Sequence, residues 1–462
     1  MQGYFHIAIL VFGICLQIYT NETSHVVLVV GFWYAVGSVL ATAMSRGARL
    51  ERLTFSGVFA ICVLVSGLLQ VYSLSYFLNI QSTKDAVDSF YPFIAAAPPF
   101  ATMADAPFLQ DSTLAVVIWQ QSYKVGYYIG LVHGPYIGIV FNSFIVALMG
   151  ALTVNCGRIV MGDNEQRLRR ISRFVYSNGL FILFGAVLIR DAFTCFATTL
   201  VIWALLRWIA HPGGKSALVV VASTAVALVL MFFLRFEAVV IIVGAVILGL
   251  SSFVLAKTRH LGAIIAIAFV VLIAVSDGLN LGQWLGEMTM MREERMLGYN
   301  ELSEENSGGE SLGLAYVINQ SAMVRLVTGS VSMLVSPIPL WRNFLPGVSD
   351  YHLMKGYHGV YQIVLVPFFI VGLLALVSRR AKISRSLVSV HFLVIFGLAG
   401  LVTVVMTSLE GRHLAQFNSA WILVAAIPIV DLREEKKLFQ KVAASWAMLV
   451  VVVHMAWIFL RG

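Results

Sequence analysis

Charge is what this sequence has least of. Only 12% of its 462 residues are charged while 59% are hydrophobic, whereas a soluble domain carries about a quarter charged residues. Surface-to-volume scaling leaves no soluble core of this size able to hide so much apolar surface, which excludes a soluble globular protein. Cysteine is scarce too. Cys15, Cys62, Cys156 and Cys195 lie in or beside apolar segments with no CxxC spacing, so they read as small core hydrophobes rather than a zinc site or a disulfide framework. The chain has no P-loop, GxGxxG, HExxH or GxSxG stretch, which removes the sequence grounds for a nucleotide-binding, zincin or nucleophile-elbow site. No internal repeat suggests the related halves of a transporter. The opening segment "GYFHIAILVFGICLQIY" lacks a basic n-region and a small-residue cleavage site, so the expectation is a retained span.

Long apolar runs are abundant. A crossing helix needs about 20 predominantly apolar residues, and that criterion places spans near 3–20, 25–44, 54–78, 133–155, 173–190, 191–209, 216–234, 237–256, 260–277, 356–377, 388–408, 413–430 and 443–460. The expected class is an all-α polytopic membrane protein of about 12–14 transmembrane helices, one transmembrane domain over 1–462. Two segments are ambiguous. "TLAVVIWQQSYKVGYYIG" (113–130) carries Gln120, Gln121 and Lys124 mid-run and reads as interfacial or re-entrant, and 323–341 is broken by Pro337 and Pro339.

The net charge of +8 points to no nucleic-acid partner, because its distribution follows the spans. Loops 45–52, 158–173, 207–215, 257–259, 379–385 and 433–441 hold 20 of the 31 Lys and Arg residues. Alternating the spans puts all six on one side, which the positive-inside bias makes cytoplasmic, together with the N-terminus. The other side receives a first large loop (79–132), tight turns at 189–192, 234–238 and 409–413, and a long loop (278–355). That last loop includes "MREERMLGYNELSEENSGGE", with six glutamates against two arginines, and its length suits a lid.

Four charged clusters share this outer face: Asp85 with Asp88, Arg190 with Asp191, Arg235 with Glu237, and Glu410 with Arg412 and His413. Each alone reads equally as charge ending a helix at the interface. As a set they place three arginines in three tight turns, each with a nearby carboxylate, Asp191, Glu237 or Glu410, to orient the guanidinium. The arginine fork suits bidentate phosphate binding, and Asp85, Asp88, Glu410 or His413 are candidates to take a proton from an acceptor hydroxyl. Residues three apart neighbour one another on a helix, so Asp85 and Asp88 would share a face. Tyr91, Trp119, Tyr123, Tyr127, Tyr128 and Trp341 read as sugar-stacking surface or as an interfacial aromatic belt. His6, His391 and His454, on apolar spans, read as packed core, while His352 and His358 lie toward the outer side.

The order "DSFYPFIAAA", "GIVFNSFIVALMGALT", a basic loop, then "SNGLFILFGAVLIRDAF" resembles the O-antigen-polymerase-type and related exopolysaccharide polymerases. These share features with the GT-C lipid-phosphate-dependent glycosyltransferases. The resemblance extends to "SPIPLW" (336–341) and "GRHLAQFNSAWILVAAIP" (411–428), and to a D..Y...A pattern at Asp88, Tyr91 and Ala95. In the GT-C class the carboxylates follow the first span, whereas here they follow the third. The resemblance implies an inner-membrane enzyme with a periplasmic site that transfers glycan from undecaprenyl pyrophosphate to a lipid-linked repeat-unit acceptor. Arg190, Arg235 and Arg412 would hold pyrophosphate, and Asp88, Asp85, His413 or Glu410 would act on the proton. It implies no cofactor beyond a divalent metal on the loop acids, as in some GT-C members. The implied partners are membrane lipid and a chain-length regulator or flippase of the same pathway. A single-sugar GT-C transferase, an O-antigen ligase, a flippase for a lipid-linked glycan and a non-catalytic assembly subunit are the alternatives. Charge gathered at one surface rather than along the spans favours an enzyme over a carrier.

Overall fold

The computed structural model describes residues 2–21, 25–45, 47–72, 113–128, 136–234, 239–258, 322–345, 350–378, 387–407, 411–427 and 432–461. Among the described residues every regular element is helical. The first part of the chain forms α1 (Gln2–Asn21), α2 (Val26–Met44), α3 (Arg49–Tyr72), α4 (Thr113–Tyr128) and α5 (Tyr136–Met161). Next come α6 (Glu165–Tyr176), α7 (Gly179–Ala186), α8 (Asp191–Ala210), α9 (Gly214–Leu234) and α10 (Val239–Thr258). Then follow α11 (Ala322–Val335), α12 (Asp350–Val377), α13 (Leu387–Thr407), α14 (Gly411–Leu414), α15 (Asn418–Ala425) and α16 (Leu432–Arg461). Short 3₁₀ turns span Leu340–Phe344 and Ala415–Phe417. Ten helical segments of the described residues are long and apolar enough to cross a membrane. The chain is therefore an all-α polytopic membrane protein.

Two expected spans take another form. The 173–190 run is split: amphipathic α6 stops at Tyr176, and Asn178 starts α7, its side chain accepting from the Phe181 amide at 3.2 Å. The 413–430 run is also broken, into α14, a 3₁₀ turn and α15. The 260–277 run lies outside the described residues. The 323–341 segment becomes α11 followed by Ser336–Phe344, which returns along α12. Met333 accepts from Gln362, Pro337 and Leu340 lie against Gly359, and Asn343 and Phe344 lie against Gly356.

Side-chain pairs fix the direction of each helix. Gln17 donates to Ser66 and Thr20 to Gln70, so α1 and α3 run parallel. Gly150 meets Thr54 and Val58 while Arg158 pairs with Glu51, so α5 runs against α3. Ser172 meets Thr54 and Gly185 meets Cys62, which makes α6–α7 parallel to α3. Phe368 packs edge-on against Phe174 and Gly179 lies against His358, so α12 runs against α6–α7, while Phe369 stacks on Trp421 and Gly372 lies against Val424, so it runs alongside α15. Phe439 meets Phe368 and the Trp446 indole donates to the Ile363 carbonyl, so α16 runs back along α12.

This alternation gives the bundle two chemically different ends. One end carries a bidentate Arg158–Glu51 pair (2.7 and 2.9 Å), with Asp163 also on Arg158, and a bridge in which Glu435 accepts from both Arg167 and Arg170. The basic loops thus clamp α3 to α5 and α6 to α16. The other end carries Arg190, Asp191, Arg325, Arg412 and His413.

Candidate functional site at two broken helices

Arg190 closes an unwound stretch, Val187–Arg190, between α7 and α8. Unwinding frees main-chain carbonyls that must find partners in an apolar bundle. Asn142 of α5 supplies them: its amide donates to the Val187 carbonyl at 2.8 Å and to the Ile189 carbonyl at 3.0 Å. Its oxygen accepts from the Trp119 indole at 2.9 Å. Trp119 is fully buried and packs on Phe193, so α4, α5 and α8 jointly hold the backbone that ends in Arg190. Arg190 is half-buried. Asp191 is buried in the first turn of α8, where the helix dipole favours a carboxylate, and its carbonyl accepts from the Thr194 hydroxyl.

Arg412 and His413 are half-buried in α14 at the second break. Below them Gln416, Asn418 and Ser419 are buried. Ser419 meets Thr153 of α5 at 3.0 Å and Thr199 of α8 at 2.9 Å. That pair of contacts sets the height of the two arginines. Arg190 precedes Thr199 by nine residues and Arg412 precedes Ser419 by seven. At helical and 3₁₀ rises both stand roughly 10–14 Å above the same hydrogen bond. The 3₁₀ turn also packs directly against α8. The two guanidinium-bearing turns therefore lie toward the same end of the bundle.

Of the residues singled out in the sequence, these two arginines, Asp191 and His413 are the ones the structure brings to one end. Asp85, Asp88, Arg235, Glu237 and Glu410 lie outside the described residues. Among the described residues no three His, Cys, Asp or Glu side chains converge in the manner of a metal site.

Two aromatic expectations need correction. Trp119 and Tyr123 are buried rather than offered to a sugar, because the polar Asn142 beneath them draws the indole inward and Tyr123 fills the space above Gly138. Trp341 is exposed and packs against His454, while Tyr91 is not among the described residues and nothing is described of the Tyr127 and Tyr128 side chains. His6 and His454 are buried as expected of core residues, whereas His391 is exposed, facing away from the neighbouring helices of α13.

The structure also adds residues that the charge pattern alone does not reveal. Arg325 of α11 is 4% exposed and its Nε donates to the Val405 carbonyl at 3.0 Å, in the last turn of α13. A cation there meets both an orphan carbonyl and the negative end of a helix dipole. His358 of α12 is buried and its Nδ1 accepts from the Leu180 amide at 3.4 Å, completing the α7 N-terminus that Asn178 begins. One turn on, Gln362 donates to the Met333 carbonyl at 3.3 Å, tying the end of α11 to the same polar centre. A signal existed for Asn142: it is the one amide inside "GIVFNSFIVALMGALT", and a polar side chain in a span seldom lacks a task. No family model, no curated protein and no solved structure matches this chain.

Proposed function

We propose that this chain is a polytopic glycosyltransferase of the lipid-linked polysaccharide polymerase type, acting at the periplasmic face of a bacterial inner membrane. Its donor is a glycan on undecaprenyl pyrophosphate and its acceptor the terminal sugar hydroxyl of a lipid-linked repeat unit. The observation that carries the reading is that Arg190 and Arg412 both stand at the same end of the bundle, each at the start of a broken helix and the two helices joined below by the Thr199–Ser419 contact. Rigid guanidinium forks gathered at one end of the bundle suit a diphosphate, which presents oxygens to more than one of them.

In the reaction, the acceptor oxygen attacks the anomeric carbon and the bond from that carbon to pyrophosphate breaks. The arginines stabilise the negative charge that grows on the departing diphosphate. The acceptor proton passes to His413 or to one of Asp88, Asp85 and Glu410, with Arg235 a third phosphate ligand and Asp191 and Glu237 orienting groups. No nucleotide sugar is required, because the donor bond is already activated.

The test is single substitution of Arg190 and Arg412 by Ala and by Lys, at matched protein levels, with glycan length read on gels. Loss of a preorganised donor costs on the order of 10²–10³ in rate, so the Ala variants should yield single repeat units. Wild-type chain length in both Ala variants would sink the proposal.

A second reading, a carrier for a lipid-linked glycan, is favoured by one observation: the α6–α7 break is lined by buried Asn178, His358 and Gln362 partway along the bundle. Discontinuous helices of this kind form substrate sites in transporters. Reconstituted vesicles loaded with a lipid-pyrophosphate oligosaccharide separate the two: longer glycan means polymerase, relocation without lengthening means carrier.

A further inference from the structure

At the end of the bundle opposite the arginine turns, a groove of about 330 Å³ opens between α12 and α16, lined by Ile370, Lys441, Val442, Ser445, Trp446 and Leu449. Three of its α16 residues, Lys441, Ser445 and Leu449, fall at a spacing of four, and Lys437 continues the same stripe one turn beyond the groove. Residues four apart lie on one helix face, and all four are exposed. The stripe therefore runs from two ammonium groups through a hydroxyl to an aliphatic side chain, and Val442, Trp446 and Ile370 continue the apolar wall.

Two features make this more than ordinary lipid-facing surface. Like charges one helical turn apart repel, and among the described residues neither Lys437 nor Lys441 forms an ion pair. The carboxylate on the buried side of the same helix start, Glu435, is already held by Arg167 and Arg170. Glu434 lies three residues from Lys437 without forming an ion pair with it, so Lys441 and Lys437 still present two ammonium groups to one anion. The groove wall is held in place as well: the Trp446 indole donates to the Ile363 carbonyl at 3.0 Å and Phe439 packs, tilted, on Phe368 beside it.

We infer that this groove is a binding site for one anionic phospholipid, whose phosphate lies between Lys437 and Lys441, with Ser445 hydrogen-bonding the headgroup and one acyl chain lying along Val442, Leu449 and Ile370. The occupant's polar-to-apolar order matches that of the stripe. Lysine stems reach along apolar surface to a headgroup plane, and basic pockets between membrane helices are recognised sites for phosphate-bearing lipids. The inference stands independently of the reaction proposed above. It places a lipid against α16, the helix that Glu435 clamps to α6.

Native mass spectrometry of the full chain tests it, with equimolar dioleoyl phosphatidylglycerol and dioleoyl phosphatidylcholine added to the detergent-purified protein. Wild type should retain phosphatidylglycerol in preference to phosphatidylcholine, and the preference should fall about fivefold for each of Lys437→Gln and Lys441→Gln. Ser445→Trp, which fills the groove but keeps both charges, should abolish the retained lipid. Equal retention of the two lipids by wild type overturns the inference, as does undiminished phosphatidylglycerol in the double lysine variant or in Ser445→Trp. Selective retention of undecaprenyl phosphate with none of phosphatidylglycerol overturns it too.

Discussion

Asn142 shows how one polar residue in an apolar span can set a distant charge. Its three hydrogen bonds satisfy two carbonyls and one indole that have no access to water. An unsatisfied buried group costs about 1–3 kcal/mol, so Asn142→Ala should lower the melting temperature of the detergent-purified protein and loosen the Arg190 turn together. Asn142→Asp keeps the acceptor for Trp119 but cannot donate to both carbonyls, and it should be no better tolerated. A thermal midpoint unchanged in Asn142→Ala would show that the unwound stretch finds other partners. Gly372 makes a different kind of contact. A Cβ there would drive into the Val424 main-chain carbonyl, and backbone cannot step aside as a side chain can. Gly372→Ala should cost about 1–3 kcal/mol as overpacking does, seen as a lower midpoint in the same assay. At this scale the sequence was only partly readable. Arg190 and Arg412 declare themselves by being charged in greasy surroundings. Trp119 does not reveal whether it faces lipid, sugar or core, because that depends on which amide lies beneath it.

Among the elements, the two broken spans were hardest to foresee. Along 173–190 only the short Ser177–Gly179 stretch interrupts the apolar run, and an average over a span-length window smooths it away. The break follows from local competition: Asn178 caps a helix starting at Gly179 instead of continuing the one before it, and His358 from α12 takes the Leu180 amide. Unbroken spans such as α5 and α9 needed only length and apolarity, which is why they were legible. The charged start of α16 was legible as a basic loop but not as a clamp. Arg167 is 3% exposed and its carboxylate partner Glu435 lies on a helix far along the chain. Breaking such a pair leaves an uncompensated buried charge, at a cost of about 3–5 kcal/mol. Glu435→Gln should therefore release α16, measured as faster proteolysis at 432–441, and Arg167→Met in the same chain should restore much of the loss. No rescue by the second substitution would mean that Glu435 acts otherwise than through Arg167.

Across the whole molecule, the helix directions and the positive-inside rule are independent lines of reasoning that meet. The rule uses only loop composition, whereas the parallel and antiparallel contacts use only side-chain pairing. Both put 45–52, 158–173 and 433–441 at one end and Arg190 and Arg412 at the other. The ion pairs Arg158–Glu51 and Arg167–Glu435 lock helices together at the end where the basic loops gather. Sidedness follows as a prediction. In a Cys15→Ser background, where Cys62, Cys156 and Cys195 are buried, single cysteines at Glu165 and Arg169 should resist a membrane-impermeant thiol reagent applied to intact spheroplasts. Cysteines at His25 and Leu345, exposed at the other end, should react. The reverse pattern would place the arginine turns on the cytoplasmic side. A periplasmic donor could not then reach them, and the polymerase reading would fall with the orientation on which it depends.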